Sequence, residues 1–243
     1  MDSVLTDAEI RQAEARQAQI LGNGPRIDPL EPGELSAELL AIVKQLASVN
    51  EALKSDAEGD RGGTRDLRDK MLADPEAAAL SPEVLEGLVR LPEIVRTLLH
   101  HSSLFSVHTD VGVHLHASGT LERRDRELAV LRIAWLCQAP YEWGEHVMVA
   151  RRFGFTGEDI RRVIEGPDAE GFDRHERAVV SAVDELYDNA MISDATWAIL
   201  SERFNEQQLI ELPIVIGHYQ ATAYYQNSLR LRLHAGNIGL KAR

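Results

Sequence analysis

The stretch Arg123–Ala150, RRDRELAVLRIAWLCQAPYEWGEHVMVA, decides how the chain is read. As far as Cys137 its apolar residues recur at helical spacing, through Leu128, Leu131, Ala134 and Trp135. Pro140 is at home only in the first turn of a helix, so it starts a second one, reaching to about Phe153. The connection at Gln138–Tyr141 is short, which folds the two helices back against each other. Glu142 and His146 are then i and i+4 and point from one face. A helix N-terminus favours the ionised Glu142, and a carboxylate one turn away favours the protonated imidazole. Glu127 lies nineteen residues before His146, on the first helix, and is placed to face the same cleft. Two carboxylates and an imidazole around one pocket form a general acid–base set. The same i, i+4 spacing also occurs in plain surface ion pairs, worth only a few tenths of a kcal/mol. Glu142 and His146 could supply two metal ligands, but no HExxH motif and no third ligand accompany them, so no metal is expected.

Outward from this stretch, almost everything reads as helix. Thr6-Asp7-Ala8-Glu9 is a capping box for a helix to about Leu21, stopped by Gly22 and Gly24. A second helix is predicted over about Ser36–Leu53, followed by a polar, glycine-containing linker near residues 54–70. Ser81-Pro82 opens a helix to about Arg90, and others cover Glu93–His101 and about Leu104–Ser118. Thr156, Asp173 and Asn205 each stand three residues before an acid or amide, and Ser193 precedes a further apolar run, so each marks a helix start. Pro213 falls inside the last helical stretch and is expected to kink or split it. A faint echo links Arg126–Leu131 with His175–Val180, 49 residues on, as either a duplication or a chance likeness of two amphipathic helices.

The 243 residues are 44% apolar and 27% charged, enough to bury a core without disulfide or metal staples. The single cysteine, Cys137, forbids an intramolecular disulfide. A formal charge of −13 argues against general affinity for nucleic acid or anionic lipid, since both need a basic surface. No stretch is apolar enough for a membrane span or signal peptide, and a cytoplasmic protein is expected.

The same residues resemble a known family, carboxymuconolactone decarboxylase with its relative alkylhydroperoxidase D. The likeness rests on Arg124-Asp125-Arg126-Glu127-Leu128, Leu131-Arg132-Ile133-Ala134 and Tyr141-Glu142-Trp143-x-x-His146. It continues in Asp173-x-x-Glu176-Arg177-Ala178-Val179, Ile192–Trp197 and Gly217-His218-Tyr219, and spans roughly Pro92–Asn227. The peroxidase branch of that family uses a CxxC pair, whose positions here are Ala139 and Glu142; Cys137 matches neither. A dithiol cycle needs an attacking thiolate and a resolving partner, which one thiol cannot supply.

The resemblance therefore implies the non-redox branch, working without metal or organic cofactor. It implies an all-α, AhpD-like domain over residues 71–243, preceded by an N-terminal helical extension in residues 1–70. The implied activity is acid–base catalysis, of decarboxylase, lyase or isomerase type, on a small unsaturated or oxygenated organic acid or lactone. Glu127, Glu142 and His146 would be catalytic. Alternatives are a single-thiol peroxidase acting through Cys137 with an external reductant, or a non-catalytic binding or assembly member. Tyr141 and Trp143 flank the pair and serve either substrate or core, while Arg132 is a partner for Glu127 or an anchor for a substrate carboxylate. The resemblance would also bring His218 and Tyr219 near the pocket. It implies a homo-oligomer, dimer or trimer, for which the apolar run Leu209–Ile216 supplies a surface.

Overall fold

The structure is a computed structural model that describes residues 6–31, 34 and 93–243. The helix and linker expected over residues 36–70 and the helix at 81–90 lie outside the described residues. Among those described, every regular element is helical: α1 Asp7–Leu21, α2 Glu93–Leu98, α3 Ser102–Ala117, α4 Arg123–Leu136, α5 Pro140–Arg152, α6 Gly157–Glu165, α7 Arg174–Asn189, α8 Asp194–Ser201 and α9 Glu206–Leu229. The chain divides into two compact units, one of Met1–Arg26 with Thr120–Arg243, the other Ile27–Gly119. No helix among the described residues is long and apolar enough to cross a membrane.

Local chemistry sets the helix boundaries. The Thr6, Thr156, Asp173 and Asn205 side chains each accept the N–H three residues on, and the side chain there returns the bond. Ser193 caps α8 by accepting from the Thr196 N–H. Of the two outcomes expected at Pro213, the split is corrected: α9 runs from Glu206 to Leu229 as one helix with Pro213 inside it. Proline removes one backbone bond, and burial of Leu212, Val215 and Ile216 on either side of it offsets that loss.

In the first unit α4 is the centre. It packs against α5, α6, α7 and α9, so every residue from Asp125 to Ala134 is buried. An amphipathic stripe alone would leave one face wet. Here four charged side chains, Asp125, Arg126, Glu127 and Arg132, are taken inside as well, and buried charge is tolerable only with partners. The partner of Glu127, His146, defines the site below.

Residues 231–243 wrap α5. The indole Nε1 of Trp143 donates to the Ala242 carbonyl at 3.0 Å, and the Asn237 amide donates to the Tyr141 carbonyl at 2.9 Å. Asn237 in turn accepts from the Gly239 N–H at 2.8 Å. A Cβ at position 144 would sit 1.7 Å from the Asn237 side-chain oxygen, so only glycine lets this segment lie so close to α5. The N-terminal helix α1 docks on the same segment of its own chain: Gln17 accepts from the Leu240 N–H at 3.1 Å and Glu14 pairs with Lys241 at 3.0 Å.

Candidate active site

Three helices carry the site. Glu127 comes from the middle of α4, Glu142 and His146 from the first two turns of α5, and Tyr219, Thr222 and Gln226 from the buried face of α9. Glu127 is wholly buried, and Glu142 and His146 are more than nine-tenths buried.

The imidazole lies between the two carboxylates. Its Nδ1 is 2.8 Å from Glu127 Oε2, and its Nε2 is 3.2 Å from Glu142 Oε1. The Arg126 guanidinium stands 3.6 Å from the other Glu127 oxygen. Burial works against a charged imidazole, but Glu127 and then Glu142 outweigh it, and His146 is raised from 6.5 to about 10. At neutral pH it is therefore an imidazolium that donates from both nitrogens, tightly toward Glu127 and more loosely toward Glu142.

Helix α9 closes the arrangement. The Tyr219 ring meets His146 edge-on with centroids 4.9 Å apart. Burial, then the charges of Glu142 and Glu127, push the Tyr219 phenol well above its ordinary range and keep it neutral. Gln226 Nε2 donates to Glu142 Oε2 at 2.5 Å. Sequence reading did not single out Gln226, which lies 84 residues from Glu142; no local motif marks it.

The other expected site residues divide. Tyr219 packs on the imidazole, and the half-buried His218 stacks edge-on against Tyr219 at 5.5 Å. Tyr141 is buried, 6.3 Å from the His234 ring, and its carbonyl is held by Asn237. Trp143, expected at substrate or core, belongs to the core: it is fully buried, 4.9 Å from the Trp135 ring and bonded to the Ala242 carbonyl.

Both roles expected of Arg132 are corrected. Its guanidinium grips Asp184 at 2.6 and 2.8 Å and donates to the Val163 and Ile164 carbonyls at 2.9 Å each. Two helix carbonyls plus a bidentate carboxylate suit an arginine fork better than Glu127, five residues back and on another face of the same helix. Arg132→Ala is expected to cost about 2–3 kcal/mol, a buried-pair value reduced because Asp184 is a quarter exposed. The His146 titration followed by NMR should stay where it is; a shift of a full unit would show that Arg132 acts on the site.

A second buried pair lies on the same central helix. Asp125 Oδ2 is 3.3 Å from His175 Nε2 on α7, with Phe204 edge-on to the imidazole at 4.6 Å. It joins the two helices, α4 and α7, that carry the segments echoing one another in sequence. Among the described residues no group of three or more His, Cys, Asp or Glu is arranged to hold a metal ion.

Residues 107–185 match the carboxymuconolactone decarboxylase family. The fold is that of AhpD-like proteins. It is similar to the alkylhydroperoxidase AhpD core of Ralstonia eutropha JMP134, an uncharacterised peroxidase-related protein, at 16% identity and a TM-score of 0.54, covering 72% of this chain and 91% of that one. It is also similar to a protein from Agrobacterium tumefaciens, described as of unknown function and a candidate AhpD antioxidant defence protein. That likeness has 19% identity and a TM-score of 0.51, covering 54% of this chain and 91% of that one. No curated protein matches the sequence.

Proposed function

We propose that the chain is an acid–base enzyme of decarboxylase, lyase or isomerase type acting, without an organic cofactor, on a small unsaturated or oxygenated organic acid or lactone. One observation carries this reading: His146 is held as an imidazolium by Glu127 on one side while its other nitrogen meets Glu142 through the looser contact, 2.8 against 3.2 Å. A substrate carbonyl entering at the looser contact takes the Nε2–H as its hydrogen-bond donor. Glu142, released from the imidazole, becomes the base for the neighbouring carbon. Loss of a proton or of carbon dioxide sends an electron pair toward the carbonyl oxygen, where the imidazolium stabilises the developing charge. Return of a proton to carbon completes the cycle. Glu127 keeps the imidazole charged and oriented throughout.

The peroxidase-related description of the Ralstonia protein suggests a second reading, through Cys137. The thiol speaks against it: burial pushes it up to about 11, leaving little thiolate at neutral pH. Solvent-deuterium exchange at the α-carbon of an unsaturated lactone, followed by NMR, separates the two. Cys137→Ser should retain nearly all of the exchange; loss of most of it would favour the thiol.

The protein is also proposed to associate with copies of itself. Helix α9 leaves Ile210, Ile214 and Tyr224 about half exposed or more on one stripe, with Gly217 and Ala221 between them. Light scattering should give a multiple of 27.0 kDa, and a particle of that mass at micromolar concentration would contradict this.

A further inference from the structure

Gln226 is 3% exposed and sits in the last turn of α9. Its amide has one defined orientation, because the group facing Glu142 Oε2 at 2.5 Å must be the donor; turned over, an oxygen would meet a carboxylate. Both oxygens of Glu142 are thereby assigned, Oε1 to His146 and Oε2 to Gln226. That leaves the amide oxygen of Gln226. It shares its carbon with the nitrogen that holds Glu142, so it lies beside the carboxylate, and it is buried with no hydrogen-bond partner among the described residues.

A buried acceptor left unmade is costly. Here it adjoins the very group that the proposed chemistry uses as a base. Resting on that proposed function, we infer that Gln226 is a specificity-determining residue. Its N–H positions Glu142, and its carbonyl oxygen accepts from a hydroxyl or N–H group that the ligand carries next to its reacting carbon. The substrate class narrows accordingly, from any oxygenated acid or lactone to one bearing a hydrogen-bond donor adjacent to the carbonyl. A site with a fixed acceptor rejects the analogue that lacks the donor, because the acceptor is then left unpaired.

The test is binding, not turnover, so it does not depend on whether the acid–base reading succeeds. α-Hydroxy-γ-butyrolactone and γ-butyrolactone differ only in the donor. Calorimetric titration of the wild-type protein should favour the hydroxylated lactone by about tenfold or more. Gln226→Met keeps the side-chain volume and removes both amide atoms; it should bring the two affinities to within about twofold. Gln226→Glu, sharing a proton with Glu142 and keeping a free oxygen, should restore the preference. Equal binding of the two lactones by the wild type, binding of neither at millimolar concentration, or an undiminished preference in a folded Gln226→Met protein would each overturn the inference. Should Gln226→Met fail to fold, the Gln226→Glu protein decides: loss of its preference overturns the inference and retention supports it. Failure of the acid–base reading would show separately, as α-carbon exchange that persists without His146.

Discussion

His146→Ala is expected to lower α-carbon exchange by about 10²-fold or more, the loss typical of a general acid or base, with the helical fold retained. Glu142→Gln should approach the same deficit, because the amide still meets Gln226 but cannot take a proton. The pH dependence has a definite sign. The folded-state value of His146 lies at about 10, above its ordinary 6.5. Its contribution to stability is therefore complete below about 6.5, falls as pH rises, and is gone once the pH has passed about 10. Urea midpoints measured from pH 6 to pH 10 should decline in the wild type and decline less in His146→Ala. A variant that exchanges α-hydrogens at the wild-type rate would remove His146 from the chemistry, and parallel pH profiles would remove it from the stability of the fold.

Trp143→Ala is expected to cost about 3–5 kcal/mol, the usual range for truncating a fully buried aromatic. Two losses combine. A cavity opens against Trp135, whose ring centre is 4.9 Å away, and the Ala242 carbonyl loses its indole donor and keeps only that of Arg243. The segment that covers α5 then loses one of its anchors close to Glu142. Chemical denaturation measures this directly, and a cost below about 1 kcal/mol would mean that the indole is not the core member its burial implies.

The contrast between these two residues shows what the sequence could reveal. Glu142 and His146 were legible because helix geometry is local: Pro140 fixes the register, and four residues fix the shared face. Glu127 required one further step, the short turn through Gln138, which adopts a left-handed φ of 49°. The capped helix starts at Thr6, Thr156, Asp173, Ser193 and Asn205 were legible for the same local reason. Gln226 was not, because its role arises only when α9 packs across α4 and α5. Arg132 was misjudged because its partners, Asp184 and the last carbonyls of α6, lie 31 to 52 residues away. Likewise the periodicity of α4 showed one apolar stripe, while its burial on all sides depends on partners from other helices, His146, His175 and Asp184.

The close approach of Trp135 and Trp143 also gives the protein a built-in optical signal. Two indoles with centres 4.9 Å apart and planes inclined at 54° are near enough for their excited states to mix, which produces a paired ultraviolet dichroism band of opposite signs. Trp197, 42% exposed on α8, stands apart from them and reports solvent through its emission. Loosening of the α4–α5 packing beside Glu127, Glu142 and His146 would collapse the paired band while leaving the Trp197 emission unchanged. The chain thus distinguishes, without a label, a disturbance of its centre from a general unfolding.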